Sequence, residues 1–470
     1  MIGSIGNKLR MISSQHYLIS VFIIAHIYFA VVIDEVFVFA PDEVGYIFTF
    51  NNVYTLPINT NAQAGSGWIT APTLFLWILL FPAKILNVLG ITDVISLRIL
   101  SIVVTSFCLH TILRIQKSRD AYDRFPKFVV CLSFMIPSVF LWTTLSMREP
   151  FIIFFLTLFF SGLYEISKFP TSKSYIYLLF GSYGLLSTKP YLWILLILSV
   201  LISLVLNISL KRSNLKIGLL VLAGLFLSLL GFLSTTSTYA LNFIFDSKIS
   251  ETSERSGDSI TEVTVETSSE PSSEPSSETI TFHGDYTLVA LHSYLLDHPN
   301  SFFSQILKAL TLDRVINRIW DEKIAMALLS EDGQVGVDQS SLNSHILQPA
   351  SIADPISIIR ASAIFLFGPF PIFLDYGFAP GIAALESPIW WALYIIVFFQ
   401  IMRFSKRQLF TRPEITIAFV FLLGEVVFSA LVEVNLGTSF RHRSIILIPL
   451  IYLYVMCKKE VLDVNKIEKH

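Results

Sequence analysis

Residues 16–46 read HYLISVFIIAHIYFAVVIDEVFVFAPDEVGY, an apolar run that leads into a stretch rich in carboxylates. The apolar part is long enough to cross a bilayer, for which roughly 18 apolar residues suffice. Four acidic side chains follow it directly, namely Asp34, Glu35, Asp42 and Glu43. Because a charged group beside hydrocarbon is costly, carboxylates at this position are expected to have a function.

The composition of the chain indicates its class. The 470 residues are 53% hydrophobic and only 14% charged, whereas soluble globular chains carry roughly 25% charged residues. The formal net charge is -2, and the chain has no basic tract of the kind that nucleic acid requires. The sequence therefore predicts an all-α, polytopic membrane helix bundle that does not bind nucleic acid.

Hydropathy and the distribution of Lys and Arg together predict about ten transmembrane helices, with both termini in the cytoplasm. The predicted spans cover about residues 16–33, 95–114, 127–143, 150–167, 174–187, 191–210, 217–235, 388–402, 414–432 and 444–457. Residues 72–89 are also apolar, but an additional span here would place the following basic loop outside. We interpret them as a juxtamembrane or re-entrant helix of the first outer loop, and residues 356–372 as a similar interfacial element.

The chain divides into three parts. Residues 1–235 form a transmembrane module with the acidic first outer loop, and residues 385–470 carry the last transmembrane helices. Residues 236–384 form an outer segment. Within it, residues 250–279 are rich in Ser, Glu and Pro, which predicts disorder. Residues 285–350 have helical periodicity in pieces, which predicts a small helical cap over the membrane face.

A basic cluster lies before the last span. Arg441, His442 and Arg443 end an outer loop at residues 435–443, where the positive-inside rule disfavours cations. An anionic ligand is the simplest explanation, and in an irregular loop both arginines could face it. The alternative is a cluster that anchors the protein to lipid headgroups.

Three further charged residues lie at the outer ends of predicted spans. Lys189 could add a point charge to an anion site, or its side chain could simply reach the membrane interface. Arg148 and Glu149 lie in a turn, where they could contact an acceptor or a phosphate in the same cavity. The alternative is that they pair, with Glu149 stabilising the start of the helix that contains Pro150.

Five motifs occur in one order along the chain: Asp42-Glu43 with Tyr46, Ala71-Pro72-Thr73-Leu74, Ser96-Leu97-Arg98-Ile99-Leu100, Gly184-Leu185-Leu186-Ser187-Thr188-Lys189-Pro190 and Phe440-Arg441-His442-Arg443. This series resembles the GT-C superfamily of membrane glycosyltransferases, which includes protein O-mannosyltransferases and aminoarabinose transferases. The resemblance covers about residues 15–200 and the carboxyl end. The chain departs from the family at its His-Pro-Pro motif, which is Ala71-Pro72-Thr73 here. The Ser/Glu-rich insert is more similar to bacterial polysaccharide-biosynthesis members.

The resemblance implies transfer of a sugar from a polyprenyl-phosphate-linked donor to a glycan, lipid or protein acceptor outside the cytoplasmic membrane. A carboxylate suits the base that deprotonates the acceptor. Asp42 occupies the family's acidic position, Glu43 is the second candidate, and Tyr46 of the same motif is a candidate for substrate binding. The alternative is that these carboxylates solvate a loop or bind a structural cation. The departing phosphate requires cations and fixed donors, for which the candidates are Arg148, Lys189, Arg441, His442 and Arg443.

The sequence is also compatible with two other functions, and it does not decide whether a divalent cation is bound. A polysaccharide polymerase or ligase that uses polyprenyl-diphosphate-linked glycans would depend on the arginines and could tolerate loss of Asp42. A non-enzymatic transporter of lipid-linked glycans would place charges at mid-membrane and use broken helices. The sequence leaves undecided whether a divalent cation bridges Asp42 or Glu43 to a diphosphate.

Overall fold

The computed structural model describes residues 17–32, 82–115, 125–168, 170–209, 216–230, 355–368, 378–403, 412–432 and 436–467. In these segments all regular secondary structure is helical, which confirms the all-α prediction for this part of the chain. The acidic stretch with Asp42, Glu43 and Tyr46 lies outside the described residues, as do the predicted cap and the Ser/Glu-rich segment.

The described segments form thirteen helices: α1 Tyr17–Val32, α2 at 82–88, α3 Asp93–Ile115, α4 Phe125–Phe134, α5 Pro137–Thr144, α6 Glu149–Lys168, α7 Ser172–Thr188, α8 Pro190–Ser209, α9 Lys216–Leu230, α10 Pro355–Phe367, α11 Phe378–Arg403, α12 Pro413–Val432 and α13 Leu436–Ile467. Each predicted span overlaps one helix or, for the third span, the pair α4–α5.

Five of these helices, α3, α6, α8, α11 and α12, are long and apolar enough to cross a membrane. The pair α4–α5 adds a sixth span if its two halves, which are bent by 61° relative to each other, form one broken crossing. Helices α1 and α9 are apolar but shorter. The described residues therefore support a membrane helix bundle with five or six crossings.

Helix α6 forms the centre of the bundle. It is apolar on all sides, as expected of a helix surrounded by other helices, and it packs against α3, α7 and α13. Its side chains Phe155, Phe159 and Phe160 are completely buried. By contrast, the outer helices expose large apolar side chains such as Leu198 and Phe398, which suits a surface that contacts lipid.

Helices α6 and α7 approach each other at two glycines. An ideal Cβ atom on Gly162 would lie 2.7 Å from the backbone N of Leu178, and one on Gly181 would lie 2.6 Å from the backbone N of Phe159. Small residues at such positions allow two helix backbones to come into direct contact, which is a common mode of association in membranes. This contact fixes the distance between α6 and α7.

Helix α6 carries a charged residue at each end, Glu149 and Lys168. With a rise of about 1.5 Å per residue, the two ends are roughly 30 Å apart. Glu414, at the start of α12, lies near Lys168, so α12 runs from there toward the Glu149 end. The last residue before α8 and the first turns of α13 also lie at the Glu149 end.

Candidate anion-binding site

The first element of the site is an ion pair between α6 and α13. Glu149 lies in the first turn of α6, where the helix dipole stabilises a negative charge. Its side chain is completely buried. Nε of Arg441 lies 2.9 Å from its Oε1. The contact is an approach of opposite charges without the geometry of a regular hydrogen bond. The sequence suggested a pair of Glu149 with Arg148, which precedes it directly. The structure shows an ion pair of Glu149 with Arg441, and the charge of Arg148 also acts on Glu149.

The second element is a contact between Lys189 and His442. Lys189 directly follows Thr188, the last residue of α7, and Pro190 begins α8. Nζ of Lys189 lies 2.6 Å from Nε2 of His442, and both side chains are buried. When the ammonium group donates, Nε2 must accept, so the imidazole is neutral with its proton on Nδ1.

The third element is a carboxylate inside α12. Glu425 is completely buried, and its Oε1 accepts hydrogen bonds from the hydroxyl of Tyr191 at 3.1 Å and from Oγ of Ser429 at 3.3 Å. The ring of Tyr191 stacks on Phe428, with the ring centroids 4.3 Å apart, and Nζ of Lys189 lies 5.1 Å from the Tyr191 centroid. Tyr191 therefore connects the carboxylate to the lysine.

These three elements form one group of interacting charges, which we call the polar cluster: Arg148, Glu149, Lys189, Tyr191, Glu425, Arg441 and His442. Burial lowers the pKa of Lys189 from 10.5 to about 7; the positive charges of Arg148 and Arg441 also lower it, while Glu425 and Glu149 raise it. Arg148, in the turn before α6, acts on both Glu149 and Lys189. Among the described residues, the cluster thus sets three basic side chains against two carboxylates.

Of these basic side chains Lys189 is buried, whereas Arg148 and Arg441 are partly buried. An excess of positive charge in such surroundings is costly without a counter-ion. A phosphate group is a suitable counter-ion because it accepts several charge-assisted hydrogen bonds from arginine and lysine. The arrangement of the polar cluster therefore fits the binding of an anion at the Glu149 end of the bundle.

Comparison of the chain with protein-family models, curated proteins and solved structures gives no match. The function must therefore be inferred from the chemistry of the site. Within the described ranges, no group of three or more His, Cys, Asp and Glu side chains is arranged to hold a metal ion. Asp42 and Glu43, the candidate ligands of a divalent cation, lie outside those ranges.

Arg443 is not part of the polar cluster, although Arg441 of the same helix is. The prediction of an irregular loop at residues 435–443, in which both arginines face one ligand, is wrong because residues 436–443 belong to α13. Side chains two positions apart on a helix point to different sides. Nε of Arg443 instead donates to the carbonyl of Phe365 at 2.6 Å, and its Nη2 donates to the carbonyl of Gly368. Arg443 therefore binds the carboxyl end of α10, where carbonyl groups lack helical partners.

A second buried carboxylate supports the framework beside Arg443. Glu386 of α11 accepts a hydrogen bond from the backbone N of Ser138 at 2.7 Å and further bonds from Oγ of Ser138 and Nε1 of Trp390. Ser138 lies in the first turn of α5, whose N-cap residue Ile136 provides no side-chain bond. Glu386 thus stabilises the start of α5 at the bend between α4 and α5.

Five of the candidates identified from the sequence come together in the structure, namely Arg148, Glu149, Lys189, Arg441 and His442. Sequence reasoning missed Glu425 and Tyr191, because residues 414–432 were interpreted as an ordinary span. A carboxylate within a predicted span was the signal that could have identified Glu425, since such a residue is rare in membranes and usually has a function.

Proposed function

We propose that the protein is a membrane glycosyltransferase that transfers a sugar from a polyprenyl-phosphate-linked donor to a glycan, lipid or protein acceptor. The observation that supports this function best is the polar cluster, in which three basic side chains face two completely buried carboxylates. A leaving phosphate gains negative charge as the glycosidic bond breaks, and preorganised cations stabilise that charge most effectively where water is excluded. In this proposal Lys189 and Arg441 bind the donor phosphate.

The proposed reaction is a single displacement. A base removes the proton from an acceptor hydroxyl, the acceptor oxygen bonds to the anomeric carbon, and the bond from that carbon to the phosphate oxygen breaks. The electron pair leaves with the lipid phosphate. Asp42 is the proposed base, Glu43 is the second candidate and Tyr46 is a proposed substrate contact; all three lie outside the described residues.

The proposed topology has ten spans and both termini in the cytoplasm. Counting from a cytoplasmic amino terminus, the turn before α6, the junction of α7 and α8, and the start of α13 all lie outside. These three segments carry the members of the polar cluster other than Glu425, which lies within α12. The reaction would therefore occur on the outer face of the cytoplasmic membrane, with residues 236–384 on the same side.

Two alternative functions are each favoured by a specific observation. A polysaccharide polymerase or ligase would use the cationic residues of the polar cluster to bind a polyprenyl diphosphate. A transporter of lipid-linked glycans is favoured by Glu425 within α12 and by the bend of 61° between α4 and α5, because transporters place ionisable groups and broken helices inside the membrane.

Binding of a prenyl phosphate tests the proposed anion site. Full-length protein in detergent would be titrated calorimetrically with farnesyl phosphate and, separately, with inorganic phosphate. We expect farnesyl phosphate to bind more tightly, and Lys189→Met or Arg441→Met to weaken its binding roughly ten- to a hundredfold through loss of a charge-assisted bond. Lys173→Met is the matched control, because Lys173 also lies over a tyrosine ring, with Nζ 4.9 Å from the Tyr177 centroid.

The substitution Asp42→Asn separates the enzymatic functions. Glycan output and protein level would be measured together in cells, and we expect transfer to stop while farnesyl phosphate still binds. Normal glycan output would support the polymerase or ligase instead. Movement of a fluorescent polyprenyl-linked sugar between the leaflets of reconstituted vesicles, without transfer to an acceptor, would support the transporter. Equal binding by wild type, Lys189→Met and Arg441→Met would contradict phosphate binding by these two residues, on which both the glycosyltransferase and the polymerase or ligase depend.

A further inference from the structure

Glu425 is the member of the polar cluster that lies deepest along its helix. It is completely buried in α12 and is surrounded by a segment that is otherwise long and apolar enough to cross a membrane. A carboxylate at such a position is costly unless it is compensated by polar partners. Its hydrogen bonds from Tyr191 and Ser429 supply part of this compensation.

Tyr191 contacts both the carboxylate and the lysine. Its hydroxyl donates to Glu425, while the face of its ring lies under the ammonium group of Lys189. The stacked ring of Phe428 holds Tyr191 in this orientation. A cation over an aromatic face is attracted by the ring electrons, so Tyr191 connects the two charges through one rigid side chain.

We infer that Glu425 is a positioning residue for the anion site: with Tyr191 it holds the Lys189 ammonium ion in place and charged, so that a phosphate group meets a cation rather than a neutral amine. This inference rests on the proposed function, in which Lys189 binds the donor phosphate.

The groups that face Lys189 explain why a dedicated carboxylate is needed. They come from four helices and one turn: Arg148 before α6, Glu149 on α6, Tyr191 on α8, Glu425 on α12, and Arg441 and His442 on α13. Burial and the two arginines favour the neutral amine, and the two carboxylates favour the ammonium ion.

The two carboxylates differ in their surroundings. Glu149 lies 2.9 Å from Arg441, so much of its charge is already compensated. Glu425 instead lies within hydrogen-bonding distance of neutral hydroxyl groups. Of the two carboxylates, Glu425 also has the larger effect on the pKa of Lys189, which it raises.

The test is the pH profile of farnesyl phosphate affinity, measured by calorimetry on full-length protein between about pH 6.5 and 9. Over this range the probe keeps a nearly constant charge, since the second pKa of a phosphate monoester is about 6. The wild-type affinity should fall as the pH rises above about 7, where Lys189 loses its proton. In Glu425→Gln the pKa of Lys189 should be lower by about one unit, because a neighbouring opposite charge shifts a pKa by this order. The affinity of this variant should therefore already be falling steadily at the low-pH end of the range, where that of wild type is still close to its plateau.

Three further variants sharpen the test. Tyr191→Phe retains the ring but removes the hydroxyl, so its profile should lie between those of wild type and Glu425→Gln. Glu425→Asp, which keeps the charge, should restore most of the wild-type profile. Glu414→Gln is the matched control, because Glu414 is a buried carboxylate of the same helix near Lys168, and its profile should coincide with that of wild type.

The outcomes separate this inference from the proposed function. If farnesyl phosphate binds, but the profiles of Glu425→Gln and Tyr191→Phe coincide with that of wild type, Glu425 is a packing residue and the inference is overturned. If Glu425→Gln does not fold, the profile of Tyr191→Phe decides. Failure of the wild-type protein to bind farnesyl phosphate at any pH overturns the proposed anion site and the inference together.

Discussion

At the scale of single residues, Lys189 combines a buried position with a charge that the site requires. Its pKa of about 7 lies below the value of 10.5 expected in the unfolded chain. Between these pH values the unfolded chain binds a proton that the folded protein lacks, so a rise in pH stabilises the folded state over this window. Below about pH 7 both states are protonated, and the cost of burying the ammonium ion is constant.

Lys189→Met should remove this dependence. We expect the stability difference between wild type and Lys189→Met to change in favour of wild type as the pH rises from 7 to 9, by at most about 1.4 kcal/mol per pH unit. The measurement is the thermal unfolding midpoint of each protein in detergent at several pH values, with Lys173→Met as control. Parallel curves for wild type and Lys189→Met would show that Lys189 keeps an ordinary pKa.

The ion pair between Glu149 and Arg441 is a second prediction at this scale. Removal of one partner leaves the other charge buried without compensation, which typically costs about 3–5 kcal/mol. We therefore expect Glu149→Gln and Arg441→Met each to lower stability strongly, and the double variant to be less destabilised than the sum of the two. A double-mutant cycle on unfolding midpoints measures this coupling; strictly additive effects would mean that the two charges do not compensate each other.

At the scale of helices, hydropathy predicted where the membrane helices lie but not how each one ends. Apolar runs have few alternatives to a helix in a membrane, because every backbone group must find its partner within the segment. Helix ends depend on tertiary contacts instead. The residues Asn435, Gly437 and Ser439 favour a turn, yet α13 begins at Leu436, and its first turns are held by the contact of Arg441 with Glu149.

The contact between α6 and α7 yields a prediction about packing. Gly162→Ala would place a methyl group 2.7 Å from the backbone N of Leu178, so the helices must separate. Overpacking of this kind typically costs about 1–3 kcal/mol. Gly424→Ala is the matched control, because its methyl group would meet only the flexible side chain of Leu195, at 3.2 Å. A thermal midpoint for Gly162→Ala equal to that of the control would contradict the close approach of the two helices.

Arg443 is expected to stabilise the carboxyl end of α10. Its replacement by Met removes charge-assisted bonds to Phe365 and Gly368, which are worth about 1.5–3 kcal/mol each. Hydrogen exchange of the amides in the last turn of α10 should therefore become faster in Arg443→Met. Arg403→Met provides the control, because Arg403 is exposed at the end of α11. Unchanged protection of α10 in Arg443→Met would show that other contacts fix its end.

For the protein as a whole, the sequence predicted part of the polar cluster but not how its charges are compensated. Counting spans from the amino terminus places Glu149, Lys189 and Arg441 on one side of the membrane, and the structure brings these three into one cluster. The network through Glu425 and Tyr191 depends on the rotation of α12 and α8 about their axes. Continuous apolar runs do not reveal this rotation, because they have little amphipathic pattern.

The proposed topology places the polar cluster outside the cell, and labelling of single cysteines tests this placement. The three natural cysteines, Cys108, Cys131 and Cys457, form no disulfide, so they can be replaced by Ser before a single new cysteine is introduced. Ser118→Cys lies in the basic segment between α3 and α4, and Ser269→Cys lies in the Ser/Glu-rich segment; both positions are outside the described residues.

In intact cells an impermeant maleimide should label Ser269→Cys, whereas Ser118→Cys should react only after permeabilisation, because basic loops stay in the cytoplasm. Labelling of Ser118→Cys in intact cells would mean that residues 72–89 cross the membrane. The following helices would then be inverted, and the polar cluster would face the cytosol. A lipid-linked donor presented on the outer leaflet could not reach the cluster in that orientation, so the same result would contradict transfer on the outer face.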